Sequence, residues 1–358
     1  SRAADFVHWG ATSQDVADSA IVLLLRKAAA ILDADLARIE KALRPLVARH
    51  RNTAMLGRTL LQPAPPVTMG LKAAGWSASV RRGRVRLARA VSEALVLQFG
   101  GASGTLAALG NRGPRVAQLI AERLRLELPD APWHTHRDRL AEVMCACGIL
   151  TGSLGKMARD ISLLMQHEVG EAFEPGGDGR GGSSTMPQKR NPIAAAIALA
   201  AANRVPGLTA AFLSQMVQEH ERGVGGWQAE WPTISELVQS TGAAVASMAE
   251  VAEGLSVSAA RMKENLKSTQ GTIFAEKAAL LLSTKLGREA AHEALERATD
   301  PKKMRGRTLV RTLADIPDAQ PDKKLLASLE DPEAYLGAAR TFTRRLSSST
   351  RARQRGRK

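Results

Sequence analysis

Aromatic side chains are scarce, at 3% of 358 residues, and Tyr335 is the one tyrosine. That scarcity removes the stacking platforms on which single-stranded nucleic acids are bound, and no nucleic-acid recognition motif accompanies the basic residues. Cysteine is nearly absent. Cys145 and Cys147 are the two present, and lying two apart in a helical pattern they point to different faces. Neither a disulfide framework nor a zinc site follows from them, and a reducing cytoplasm is the simplest setting. No apolar run reads as the roughly 18 residues that a membrane span requires; the stretch Ala20–Leu25 gives way to Arg26 and Lys27. The chain starts at Ser1 with neither a methionine nor a signal-peptide pattern.

What is abundant is alanine, leucine and arginine, which favour helix over sheet. Hydrophobic residues make up 44% and charged residues 24%, enough for a large core at this length. The net charge is +15. Part of it sits in a tail of disordered composition, with Arg344, Arg345, Arg351, Arg353, Arg355 and Lys358. More lies in "RRGRVRLAR" at 81–89. A solvated tail and a field that attracts anionic substrates account for this charge equally well.

Helical periodicity runs through most of the chain. Thr12-Ser13-Gln14-Asp15 reads as a helix start. Behind it Ile21, Leu25, Ala28, Leu32, Leu36, Ile39, Leu43 and Leu46 form one apolar stripe. Leu140, Val143, Cys147, Leu150, Leu154, Met157, Ile161 and Leu164 form a longer seam. Ile234, Leu237, Thr241, Ala244, Met248, Val251 and Leu255 form another. A third long segment begins at Pro192 and carries Pro206-Gly207, which should kink or break it. The expected fold is all-α, an elongated helical bundle over 1–268 followed by a small C-terminal helical domain over 269–358, where the elements shorten and Gly, Pro and Asp intervene.

The stretch "GGDGRGGSSTMPQKRNP" at 176–192 interrupts this pattern. It lacks the glycine that a P-loop places before its lysine, and no strand precedes it as a dinucleotide fold would need. Asn191 reads as an N-cap and Pro192 as the first helical residue. On that reading the helix start directs free N–H groups and partial positive charge toward Lys189 and the loop. A serine of the loop, Ser183 or Ser184, brought into that field could act as acid or base on a multiply anionic substrate.

"GGSSTMPQKRNP" resembles the signature of the fumarase/aspartase superfamily, GSSxMPxKxN. "HWGATSQDVADS" at 8–19 and "GRTLLQPAPPVTMG" at 57–70 are similar to its first and second motifs. The resemblance implies a mostly helical homotetramer in which each active site draws its three motifs from three subunits. It implies acid/base chemistry beside a carboxylate, without cofactor or metal. It also implies a further N-terminal domain, expected upstream of the first motif and missing from the sequence given. Carried over, Ser183 is the catalytic serine, and His8, standing where related lyases place a histidine near the substrate, is the second catalytic candidate. Thr12, Ser13, Thr59, Gln62, Ser184, Met186, Lys189 and Asn191 fall in the substrate-binding motifs.

The second motif departs from the family's T-H-x-Q, reading Thr59-Leu60-Leu61-Gln62. Lyases that release an amine or guanidine use that histidine to help the nitrogen leave; Leu60 has no proton to give. A carboxylate that adds or leaves as an anion needs none. This departure, with Trp9, "PWHTHRDR" at 132–139 and "HERGVGGWQAEW" at 220–231, resembles the branch that cyclises 3-carboxy-cis,cis-muconate. An adenylosuccinate- or argininosuccinate-type lyase and an inactive scaffold are the alternatives. Pro63 and His136 differ from what that branch suggests, and His134, His136 and Asp138 match no standard metal spacing.

Overall fold

A computed structural model describes residues 2–176, 181–182, 185–186, 189–317 and 321–355. It is predominantly helical. In chain order it contains α1 (Ser13–Arg49), β1 (Ala54–Thr59), β2 (Gln62–Thr68), α2 (Met69–Ala94), α3 (Gly113–Leu124), α4 (Asp138–Leu164), β3 (Ala172–Phe173), α5 (Ile193–Ser214) and α6 (Gly226–Gly254). Then follow β4 (Ser256–Val257), α7 (Ala259–Ser268), α8 (Ala275–Leu286), α9 (Arg288–Thr299), α10 (Leu309–Ala314), α11 (Lys323–Ser328) and α12 (Ala339–Arg355). Two compact units result. The first comprises residues 1–40, 79–162 and 174–254, and the second 41–78, 163–173 and 255–358.

In the first unit the α4 seam is buried along its length, from Leu140 through Val143, Cys147, Leu150, Leu154 and Met157 to Ile161. Small residues let its neighbours approach. A Cβ on Gly83 of α2 would lie 2.8 Å from Leu150, and one on Gly155 would lie 2.5 Å from the Ala202 side chain of α5. α5 packs against α6, burying Ala195, Ala198, Ala201, Val205 and Phe212. Of the kink or break expected at Pro206, the break does not occur: the helix runs on through the proline, with Val205 and Phe212 buried before and after it. α4 and α5 are long and apolar enough to cross a membrane by length and composition, although the sequence reading found no such run. α4 spends most of that surface inside the protein, whereas α5 leaves Ile193, Ile197 and Leu213 exposed. Val16, Leu24 and Ile31 form a second exposed apolar stripe, on α1.

The second unit is organised by a core of Leu266, Ile273, Phe274, Leu282, Leu295, Leu309 and Leu313, into which Leu56 of β1 is planted. β1 and β2 form an antiparallel hairpin. Pro63, Pro65 and Pro66 are tolerated in β2 because each strand of a two-stranded sheet has an open edge that needs no N–H. Gly57 is required: a Cβ there would lie 2.2 Å from the Pro65 carbonyl oxygen. A second small sheet pairs β3 with β4.

Candidate active site

Thr12 immediately precedes α1, as the sequence suggests for a cap. Its N–H donates to Asp15 Oδ2 at 3.0 Å, the return half of a capping box. Its hydroxyl faces elsewhere, accepting from Arg222 Nη1 at 2.5 Å. Arg222 Nε also donates to Gln14 Oε1 at 3.3 Å, and Gln14 Nε2 in turn donates to Asp18 Oδ2 and to the His134 carbonyl. The Gln14 amide is therefore oriented without ambiguity. Among the described residues Arg222 contacts no carboxylate, so this half-buried guanidinium faces two neutral oxygens beside the first motif.

Asp15 is the hub that fixes the motif. It accepts from Gly100 N at 3.0 Å, Gly101 N at 2.9 Å and His134 Nε2 at 2.7 Å. Burial pushes its carboxyl up, but the bonds from His134, Gly101 and Thr12 outweigh this and hold it below the ordinary value. Gly101 serves through its backbone: at φ 73° it turns its N–H inward, and a Cβ would lie 2.7 Å from the Gly10 carbonyl oxygen.

Behind this layer Arg137, wholly buried, grips two carboxylates. It donates to Asp18 at 2.8 and 3.0 Å and to Glu230 at 2.6 to 3.1 Å, with its guanidinium 4.9 Å from the Trp133 ring centre. Trp227 Nε1 and Gln98 Nε2 also donate to Asp18, and Gln218 Nε2 donates to Glu230. Burial pushes the Glu230 carboxyl above its ordinary value despite Arg137. The stretches 132–139 and 220–231 thus have a physical role: their Trp133, His134, Arg137, Arg222, Trp227 and Glu230 seat the first motif. Sequence reasoning noted both stretches but missed Arg222, because nothing local distinguishes it from a surface arginine.

The second motif lies in the second unit, at the tip of the β1–β2 hairpin. Thr59 pairs with Gln62, and both are exposed. The two-residue turn between them is Leu60-Leu61, at φ 49° and 64°. Two consecutive left-handed residues suit asparagine and glycine; leucines there are strained. These are moreover 97% and 77% exposed. The arm behind the tip is firm. Arg58 donates to both oxygens of Glu171 at 2.8 and 3.0 Å, and Asn265 Nδ2 donates to Glu171 Oε1 at 2.7 Å.

Of the third motif, Ser183 and Ser184 lie outside the described residues. Met186 and Lys189 are exposed, joined by a bond from Lys189 N to the Met186 carbonyl. Asn191 N donates to the Gly181 carbonyl at 2.8 Å. The helix start differs from expectation. α5 begins at Ile193 with Pro192 as the cap residue, one position later than Asn191 would have set it. Its N–H groups are not all free either, since Ala194 N and Ala195 N donate to the Glu174 carboxylate. His8 and Ser13 are exposed, His8 in a left-handed turn at φ 66°.

Among the described residues no three His, Cys, Asp or Glu side chains converge as a metal site. His134 is committed to Asp15, and His136 is exposed. A cleft of about 410 Å³ in the first unit is lined by Glu93, Glu127, Asp130, Asp138 and Glu142, with Arg139. Its charge is of the wrong sign for a polycarboxylate.

A family model described as a lyase matches residues 1–207. The 3-carboxy-cis,cis-muconate cycloisomerase of Bradyrhizobium diazoefficiens is 51% identical over 98% of this chain and 78% of its own length. The enzyme of the same name from Pseudomonas aeruginosa is 48% identical over 96% and 76%. The crystal structure of 3-carboxy-cis,cis-muconate lactonizing enzyme from Pseudomonas putida superposes with a TM-score of 0.88 at 46% identity, covering 95% of this chain and 76% of that one.

Proposed function

The chain belongs to the lyase family, within the fumarase/aspartase superfamily, and from that premise we propose that it is a cycloisomerase closing 3-carboxy-cis,cis-muconate to 4-carboxymuconolactone. The observation that carries this reading is Leu60. It occupies the exposed tip of the second-motif hairpin, where amine-releasing relatives have a histidine, and can neither give nor take a proton. Chemistry at this site therefore manages without the second-motif histidine as a general acid for a leaving nitrogen.

Lactone closure meets that condition. A carboxylate oxygen of the substrate forms a bond to an alkene carbon, and the π electrons move to the neighbouring carbon. The negative charge spreads into the carboxylate that carbon bears. Lys189 and Asn191 hold that carboxylate, and the Ser183 hydroxyl gives its proton to the carbon. A proton from solvent restores the serine, so the reaction is a net isomerisation without cofactor or metal. Thr12, Ser13 and Arg222 receive another carboxylate. The Arg222 guanidinium, already seated on Thr12 and lacking an anionic partner among the described residues, supplies charge there. Ser184 and Met186 add contacts, Thr59 and Gln62 come from the second motif of another subunit, and His8 is the further catalytic candidate.

A homotetramer in the cytoplasm, working in protocatechuate catabolism, is part of the same proposal. Apolar surface on α1 and α5 and the strained, exposed leucines of the hairpin support assembly, since each gains by being covered. Residues 269–358 are proposed as the small C-terminal domain.

The test is loss of ultraviolet absorbance by 3-carboxy-cis,cis-muconate, whose conjugated diene closure destroys. Turnover that vanishes in Ser183→Ala supports substrate and serine together. Absence of turnover by the parent refutes the substrate, and undiminished turnover by Ser183→Ala refutes the serine.

A further inference from the structure

The carboxylate of Glu174 has no part in the chemistry above, yet it is 8% exposed. Among the described residues it has no cationic side chain as partner. Its hydrogen bonds come from two backbone groups, Ala194 N to Oε1 and Ala195 N to Oε2, each at 3.1 Å. A carboxylate this buried requires compensation, and the start of a helix provides it through free N–H groups and partial positive charge. α5 has 22 residues and lacks a side-chain cap from Pro192. Glu174, twenty residues upstream, is its cap.

The consequence is topological. The chain leaves Glu174, runs through the glycine-rich stretch and returns to the helix that Glu174 holds. A second tie, Asn191 N to the Gly181 carbonyl at 2.8 Å, closes the same loop nearer its end. Lys189 and Asn191 directly precede the pinned turn. Where Glu174 holds the first turn of α5 therefore sets where these two side chains emerge.

We propose that Glu174 is a positioning residue for the substrate-carboxylate binders Lys189 and Asn191, acting through the α5 N-terminus. This rests on the reading of those two residues given above. It also reassigns the helix start: its N–H groups serve a protein carboxylate rather than the substrate.

The experiment compares the parent chain with Glu174→Gln, Glu174→Ala and Lys189→Ala. In both Glu174 variants KM for 3-carboxy-cis,cis-muconate should rise about tenfold while kcat stays within about threefold, because binding geometry and not the proton transfer is disturbed. Tryptic cleavage after Lys189 and Arg190 should accelerate. Sodium formate, small enough to fill the vacated helix start, should reverse both effects in Glu174→Ala and not in Glu174→Gln, whose side chain still fills the space. Unchanged KM and cleavage overturn the proposal, as does a lowered melting temperature alone. A parent that does not turn over the muconate, or a Lys189→Ala variant with unaltered KM, refutes the functional reading instead. The cleavage and formate results then decide the role of Glu174 without any substrate.

Discussion

Replacing Arg137 with methionine tests the buried network most severely. The guanidinium is fully buried and bonded to both Asp18 and Glu230, so its removal strands two carboxylates. They are not equally exposed to the loss. Asp18 keeps donors from Trp227, Gln14 and Gln98, whereas Glu230 keeps Gln218. Breaking a buried pair from one side costs about 3–5 kcal/mol. For a unit of roughly 200 residues this lowers Tm by about 6–20 °C. The deficit should depend on pH in a stated direction. Burial already holds the Glu230 carboxyl above its ordinary value, so its folded form binds a proton more readily than its unfolded form. The associated stability is present below the unfolded pKa and lost as pH rises through the folded one. Without Arg137 the folded value climbs further and that window widens upward. Urea unfolding should therefore show a smaller deficit at pH 5 than at pH 8, and adding Glu230→Gln should recover part of the loss. A deficit under about 1 kcal/mol, equal at both pH values, would refute the reasoning.

Three further outcomes follow from named contacts. Arg222→Ala should raise KM for the muconate by about ten- to a hundredfold, and Arg222→Lys should recover only part, since an ammonium cannot serve Thr12 and Gln14 in the same geometry; steady-state kinetics decide. Gly57→Ala should destabilise the second unit by about 1–3 kcal/mol or more, because the new methyl meets the Pro65 carbonyl rather than a movable side chain, read as a lower urea midpoint. Iodoacetamide should label Cys145 in the native protein and leave Cys147 unmodified until unfolding, since burial pushes the Cys147 thiol up to about 12; peptide mass mapping distinguishes the two.

Local pattern carried the helices well. The α4 seam is buried as its three-and-four spacing predicts, because a stripe on a long helix has few ways to leave water. The β1–β2 hairpin was not legible. Three prolines in seven residues argue against a strand, and Leu60-Leu61 is poor turn chemistry; only a two-stranded sheet planted on a separate core by Leu56 accommodates both. The start of α5 was misplaced for a related reason. Asn191 and Pro192 follow good local rules, but a carboxylate from elsewhere in the chain settles where the helix begins.

The sequence by itself determined the helical class, the seams and the family, because apolar spacing and a dense motif are properties of neighbouring residues. It also determined the absence of a histidine at residue 60, and with it the kind of chemistry to expect. Tertiary structure alone decided which polar groups are spent and which are left to act. His134 is committed to Asp15; Glu174 is committed to α5; Arg222, on Thr12, faces no anion among the described residues. Those assignments join residues 20 to 210 positions apart. Hydrogen bonding and burial at such separations depend on where the chain returns, and no local pattern records that.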